Sequence, residues 1–313
     1  MTEEYDFIII GAGGTGLAAA MYGARLGLKT LILGHTYNSG LPIGGTITMT
    51  NVVENYPGII KTSGLLLSKQ LKEHAESYDL VTLKTEEVLE ITKGEEFLVK
   101  TKKQEYSGKT LLFATGTKVK KLEVPGAEEF ENRGVNYCAL CDGPLYRGKI
   151  VGVVGGSDSA GKDALILAEH AKEVYIIYRG EEIRSESATK EQIKKAGNIK
   201  IINNTNIVEV KGNEKGINEV IFDKEYEGKK EFFLDGLFVA IGHIYLSDLA
   251  KPLGIEMTKA GEIIINHKDS TTNVEGIFAA GDVTDKPFKQ LITGVADGCT
   301  ASHSAYEYII SKR

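Results

Sequence analysis

Apolar residues in this chain come in short unbroken runs, not in long helical stripes. Residues 5–10, 29–33, 110–114, 149–154, 173–178 and 236–241 are such runs. Their length and their Gly-marked ends read as strands buried on both faces, as in a parallel sheet. The first run is followed at once by Gly11-Ala12-Gly13-Gly14-Thr15-Gly16, and then by small and apolar residues over 17–26 that read as a helix ended by Gly27. With the strand at 29–33 this forms a βαβ unit of about 30 residues, the frame of a dinucleotide-binding turn. A Gly/Thr-rich loop covers 34–50, an amphipathic helix 65–77, and two or three short strands 80–100. The pattern then restarts. A strand at 149–154 leads into Gly155-Gly156-Ser157-Asp158-Ser159-Ala160, a helix over 161–170 and a strand at 173–178. Two nucleotide-binding halves in one chain are therefore expected. A last helix covers 294–310, and the class is α/β with mainly parallel sheets.

Composition narrows the function classes. At 313 residues the chain is long enough for about two domains. A net charge of −6 argues against broad nucleic-acid binding, which needs clustered Lys and Arg. No apolar run approaches the ~20 residues of a membrane span. The acidic start before a short apolar run does not read as a secretory signal, so a cytoplasmic protein is expected. Three cysteines exclude a disulfide-built scaffold. The 36 glycines cluster after apolar strands, where backbones meet phosphates.

The motifs divide the chemistry. Gly11 permits the tight turn, Gly13 close approach to a pyrophosphate and Gly16 close helix–strand packing. The acidic residue expected about 20 residues later is missing, since the strand ends Leu33-Gly34-His35. In the second turn Ser157 replaces the middle glycine, which either crowds a pyrophosphate or donates to it. Arg179 and Arg184 follow the next strand and read as a 2′-phosphate clamp or as solvated surface charges. Cys138-Ala139-Leu140-Cys141 is the strongest chemical signal. Its spacing allows a redox disulfide or half of a metal site. Zinc needs four ligands, and the only other cysteine is Cys299 in an apolar helix, so redox is favoured. Asp142, next to the pair, reads as a proton shuttle or as a turn residue before Gly143-Pro144.

Taken together, these residues make the chain resemble the low-molecular-weight thioredoxin reductases over nearly its whole length. The matching stretches are Gly11 to Gly16, Val53-Glu54-Asn55-Tyr56-Pro57-Gly58, Ala114-Thr115-Gly116, Cys138 to Gly143, Gly236 to His243 and Gly276 to Val283. The resemblance implies two Rossmann-like, three-layer domains. An FAD domain is assembled from 1–118 and 245–313, and a pyridine-nucleotide domain over 119–244 carries the cysteine pair. Carried over by position, Gly11, Gly13, Gly14, Thr15 and Gly16 hold the FAD pyrophosphate. Gly44, Gly45, Thr46 and Asn55 line the flavin or its tail, Val88 lies by the adenine, and Gly116 closes a motif strand. Gly281 and Asp282 meet the ribityl chain, while Lys289, Gln290 and Leu291 approach the isoalloxazine. Gly156, Ser157, Asp158, Ser159, Arg179 and Arg184 face NADPH.

The implied activity passes a hydride from nicotinamide to flavin and then electrons to the Cys138–Cys141 disulfide. Cys141 is flavin-proximal, Cys138 attacks the partner disulfide and Asp142 carries the proton. The partner is thioredoxin or a glutaredoxin-like protein, and the enzyme is a homodimer whose domains rotate about hinges near 116–121 and 242–247. Four departures stand out. Thr46 replaces a family Gln, Lys289 an Arg, Gly180 a phosphate-binding Arg, and Ser157 a Gly. NADH, ferredoxin-derived electrons and a dithiol-oxidase activity therefore remain alternatives.

Overall fold

The computed structural model describes residues 3–34, 42–50 and 52–312. Part of the loop expected over 34–50, with His35, lies outside the described residues. In chain order the elements are β1 (Glu3–Ile10), α1 (Gly14–Arg25), β2 (Thr30–Gly34), α2 (Gly64–Glu76), β3 (Val81–Thr85), β4 (Val88–Lys93), β5 (Phe97–Thr101), β6 (Glu105–Phe113) and β7 (Thr117–Val119). Next come β8 (Val135–Asn136), α3 (Ala139–Asp142), β9 (Ile150–Val154), α4 (Asp158–Ala168), β10 (Glu173–Ile177), α5 (Ser187–Ala196), β11 (Ile199–Ile202), β12 (Ile207–Asn213), β13 (Gly216–Tyr226), β14 (Lys229–Phe233) and β15 (Gly236–Val239). The chain closes with β16 (His243–Tyr245), β17 (Ile277–Ala279) and α6 (Leu291–Ser311). It divides into two compact units, Met1–Lys118 with Ile244–Arg313, and Val119–His243.

The first unit is built on a seven-stranded sheet in the order β3-β2-β1-β6-β5-β4, with β17 beside β6. Side chains alternate across a strand. Phe7 and Ile9 therefore join Leu17, Ile32, Leu112 and Ala301 on the face carrying α1 and α6. Ile8 and Ile10 join Leu31, Phe113, Ile263 and Val283 on the other. The second unit centres on a five-stranded parallel sheet, β11-β10-β9-β15-β8. Val151, Val153, Val174 and Ile176 pack with Ala160, Ala164 and Leu167 of α4. Tyr175, Ile177, Leu237 and Val239 pack with Val220 and Phe222 of β13.

One expectation changes. Both glycine-turn helices begin about a turn earlier than the apolar pattern implies, at Gly14 and Asp158. Their first turns consist of small and polar residues that carry no apolar signal. The two main sheets are mainly parallel, as expected, with an antiparallel layer that the apolar runs do not mark. β12-β13-β14 is antiparallel and covers one face of the five-stranded sheet. β12 and β13 bury scattered residues, β14 buries none fully, and their pairing is interrupted by register shifts, so they lack the continuous runs that mark parallel strands.

Candidate active site and nucleotide turns

In the first unit the turn Gly11 to Gly16 is shaped by close backbone approach. Gly11 has φ +112°, and a Cβ there would run into the Ala114 carbonyl. A Cβ on Gly16 would strike the carbonyl oxygen of Gly11. Gly13 is different. A Cβ on it meets only Gly44 O and Gly45 Cα, each at 3.9 Å, an ordinary contact. Gly13 caps α1 without a side-chain hydrogen bond, and the first turn holds no acidic residue. Among the described residues, the α1 N-terminus thus offers N–H groups and a positive dipole end with no acidic residue in its first turn, and a Cβ on Gly13 meets no close neighbour. That fits a pyrophosphate.

Several expected site residues converge on this turn. Gly44 N donates to Ala12 O at 2.7 Å, so Gly44 and Gly45 lie against Gly13. Gly14 faces the Leu291 side chain, while Thr15 Oγ1 packs where Cβ atoms of Gly281 and Gly294 would stand. Asn55 Nδ2 donates to Gln290 Oε1 at 3.0 Å. Gln290 caps α6 through a reciprocal arrangement with Thr293. Lys289 is committed elsewhere in part, to Glu262 Oε1 at 2.6 Å and over the Tyr245 ring at 4.4 Å. Asp282 lies in the short turn Gly281–Val283, near enough for its charge to act on Tyr245. Thr46 is exposed at the start of the turn Gly45–Met49. Val88 opens β4, and Gly116 has φ +68° with open space around it.

In the second unit Cys138 and Cys141 form a disulfide with Cα atoms 5.3 Å apart. Cys138 caps α3, its Sγ accepting from Cys141 N at 3.2 Å. Asp142 N donates to Cys138 O at 3.0 Å, which fixes the Asp142 backbone directly after the pair, and its carboxyl acts on the Tyr146 hydroxyl. Burial pushes Asp142 up to about 6, so it changes charge close to neutral pH. Gly143 packs against Leu167 and His170, seating this segment on α4. Cys299 stands apart as a free thiol on α6, pushed up to about 11 by burial. Its thiolate fraction at pH 8 is about 10⁻³. Cys299→Ser is therefore expected to keep most activity, and native alkylation at pH 8 to leave Cys299 largely unmodified. Peptide mapping that pairs Cys299 with Cys138 or Cys141 would overturn both expectations.

The second glycine turn keeps Gly155 at φ +149° but satisfies itself. Ser157 Oγ caps α4 by accepting from Ala160 N at 3.4 Å. Asp158 is held down to about 2, first by Lys162, then by the Glu186 N–H, with Thr189 Oγ1 also donating to it. Ser159 is exposed. Arg179 and Arg184 are exposed too, and neither guanidinium has a hydrogen bond or ion pair among the described residues. Sequence reasoning missed the Glu262–Lys289 pair, which joins residues 27 positions apart, and the placement of the Tyr178 ring. The one available signal for Tyr178 was a pair of glycines, Gly156 and Gly180, flanking it in the two loops that meet at this turn.

Comparison with known proteins agrees with this geometry. A family model described as pyridine nucleotide-disulphide oxidoreductase matches residues 5–298. The chain is 37% identical to a thioredoxin reductase of Bacillus subtilis (strain 168), over 99% of this chain and 96% of that one. It is 36% identical to the thioredoxin reductase of Peptoclostridium acidaminophilum, over 99% and 98%. A solved thioredoxin reductase from Streptococcus pyogenes MGAS5005 superimposes with TM-score 0.90 at 33% identity, covering 99% of this chain and all of that one. With two glycine turns, a redox-spaced disulfide and full-length similarity, the chain belongs to the pyridine nucleotide-disulphide oxidoreductases and, among them, to the low-molecular-weight thioredoxin reductases.

Proposed function

We propose that the chain passes electrons from NADPH through FAD and the Cys138–Cys141 disulfide to a thioredoxin-like protein. The observation that carries this reading is the disulfide followed directly by the half-buried Asp142, in the unit that also holds Arg179 and Arg184. The unit of Met1–Lys118 and Ile244–Arg313 is read as the FAD domain, held through Gly11, Gly13, Gly14, Thr15, Gly44, Gly45, Asn55, Gln290 and Asp282. The unit Val119–His243 is read as the nicotinamide domain. The chemistry FAD supplies when bound is the relay of two electrons from a nicotinamide hydride to a disulfide.

The chain's own residues do the rest. Cys141 is assigned the flavin side and Cys138 the attack on the partner disulfide. Asp142 takes the proton of an exchanging thiol and returns it to the departing thiolate. Leu140 and Leu145 are exposed on either side of the second cysteine and offer apolar contact to a partner protein. No described helix is long and apolar enough to cross a membrane. A cytoplasmic homodimer completes the reading, as the resemblance implies.

A second reading, with NADH or ferredoxin as donor or with a dithiol-oxidase role, is favoured by one observation. Ser157 and Asp158 spend their polar groups on the protein itself. Anaerobic flavin bleaching by NADPH, NADH and reduced ferredoxin, side by side, decides. NADPH is expected to bleach the flavin, and Arg179→Ala to lower its kcat/KM about 10- to 100-fold. That is the loss of one charge-assisted bond of roughly 1.5–3 kcal/mol to phosphate. Bleaching by ferredoxin alone overturns the NADPH assignment.

A further inference from the structure

The second glycine turn has a feature that the two arginines do not explain. Tyr178 directly follows β10, and its half-buried ring lies between two bare stretches of backbone. A Cβ on Gly156 would fall 2.5 Å from ring Cγ and closer still to Cδ2 and Cε2. A Cβ on Gly180 would fall 2.6 Å from Cε1, 2.9 Å from Cζ and 3.0 Å from Oη. Neither glycine has a positive φ, unlike Gly155. The backbone therefore admits a side chain at both positions, and it is the ring that excludes one.

Both walls of this slot are fastened. Arg184 N donates to Gly156 O at 2.6 Å, and Asn204 N donates to Gly180 O at 2.9 Å. Ser185 Oγ donates to Ser157 O at 3.2 Å, and Thr205 N donates to Tyr178 O at 3.1 Å.

In a Rossmann turn the residue closing the second strand stands where the ribose 2′ position is read, and the turn backbone stands where the phosphates pass. The Tyr178 ring spans these two places. We propose that Tyr178 is a gate over the adenosine half of the nicotinamide site, so that its ring must leave the Gly156–Gly180 slot before a 2′-phosphorylated nucleotide engages Arg179 and Arg184. This inference rests on the reading of Val119–His243 as the nicotinamide domain. The closed ring lowers apparent affinity by the fraction of molecules in which the slot is open. It also gives Gly180 a role of its own. Restoring an arginine there does not simply return a lost phosphate ligand, because its Cβ meets the ring in the closed position.

Calorimetric titration of the oxidised holoenzyme with adenosine 2′,5′-bisphosphate tests this without hydride transfer. Tyr178→Ala is expected to bind about ten-fold tighter than wild type, and Tyr178→Phe, which keeps the ring, to bind like wild type. Gly180→Arg alone should gain little. Combined with Tyr178→Ala it should gain more than the product of the two single changes. If Tyr178→Ala melts early, Tyr178→His carries a smaller ring and should shift affinity in the same direction. Unchanged or weaker binding in the Ala and His variants overturns the gate and makes the ring a packing residue or a stacking platform. Failure of the donor reading shows separately, as absent flavin bleaching by NADPH in every variant.

Discussion

Asp142→Asn is expected to slow turnover with a thioredoxin-like disulfide by about 10²- to 10⁴-fold while leaving flavin reduction by nucleotide close to wild type. Dithiol–disulfide exchange consumes no net proton, yet each step takes one from a thiol and gives one to a thiolate. Asp142 follows Cys141 directly, and a carboxyl raised by burial to about 6 can hold that proton in between. The turnover rate of the wild type should therefore break near pH 6, and the break should vanish in the Asn variant. Single-turnover rates that match wild type at every pH would reduce Asp142 to a turn residue.

The same burial has a signature in stability. Below about pH 4 the carboxyl is protonated in both folded and unfolded chains, and its burial carries no charge penalty. Because the folded value is raised, this advantage is lost as pH rises from about 4 through 6. The rise from 3.8 to about 6 corresponds to at most about 3 kcal/mol, reduced by the water that still reaches the group. Asp142→Asn should therefore raise the melting temperature at pH 7.5 and leave it unchanged at pH 4. Asp163, also raised to about 6 by burial, keeps its share of the slope in that variant.

The parts of the fold that sequence discloses are those where one residue type has one physical reason. Continuous apolar runs mark β1, β9 and β10 because both faces of those strands are covered. Gly11 and Gly155 show themselves because nothing else tolerates their φ and the carbonyls beside them. The stretch from Ile207 to Phe233 stayed silent. Its strands bury one face against Tyr175 and Leu237, and a bulged alternation is weak in sequence. Within the site, Cys138 and Cys141 were legible from spacing. The side-chain commitments of Asp158, Lys289 and Tyr178 were not, because each depends on a partner far along the chain or across a loop.

Gly13→Val should yield a folded, colourless protein. The three glycines of the first turn are bare for different reasons, and the structure separates them. A side chain on Gly11 or Gly16 collides with main chain, Ala114 in one case and Gly11 in the other, so substitution there damages the packing of α1 on the sheet. A Cβ on Gly13 makes only ordinary contacts among the described residues, 3.9 Å from Gly44 O and Gly45 Cα, and Gly13 has an ordinary negative φ of −76°. It would instead fill the space over the free N–H groups of α1, where the pyrophosphate is expected to sit. Valine at 13 should thus abolish flavin retention and with it all disulfide reduction, while far-UV circular dichroism stays native. Some loss of melting temperature is expected beyond the substitution itself, because a bound cofactor stabilises only the folded chain. Gly16→Val should lose flavin and fold together. A yellow Gly13→Val protein with stoichiometric FAD would show that the cofactor does not pass over this turn.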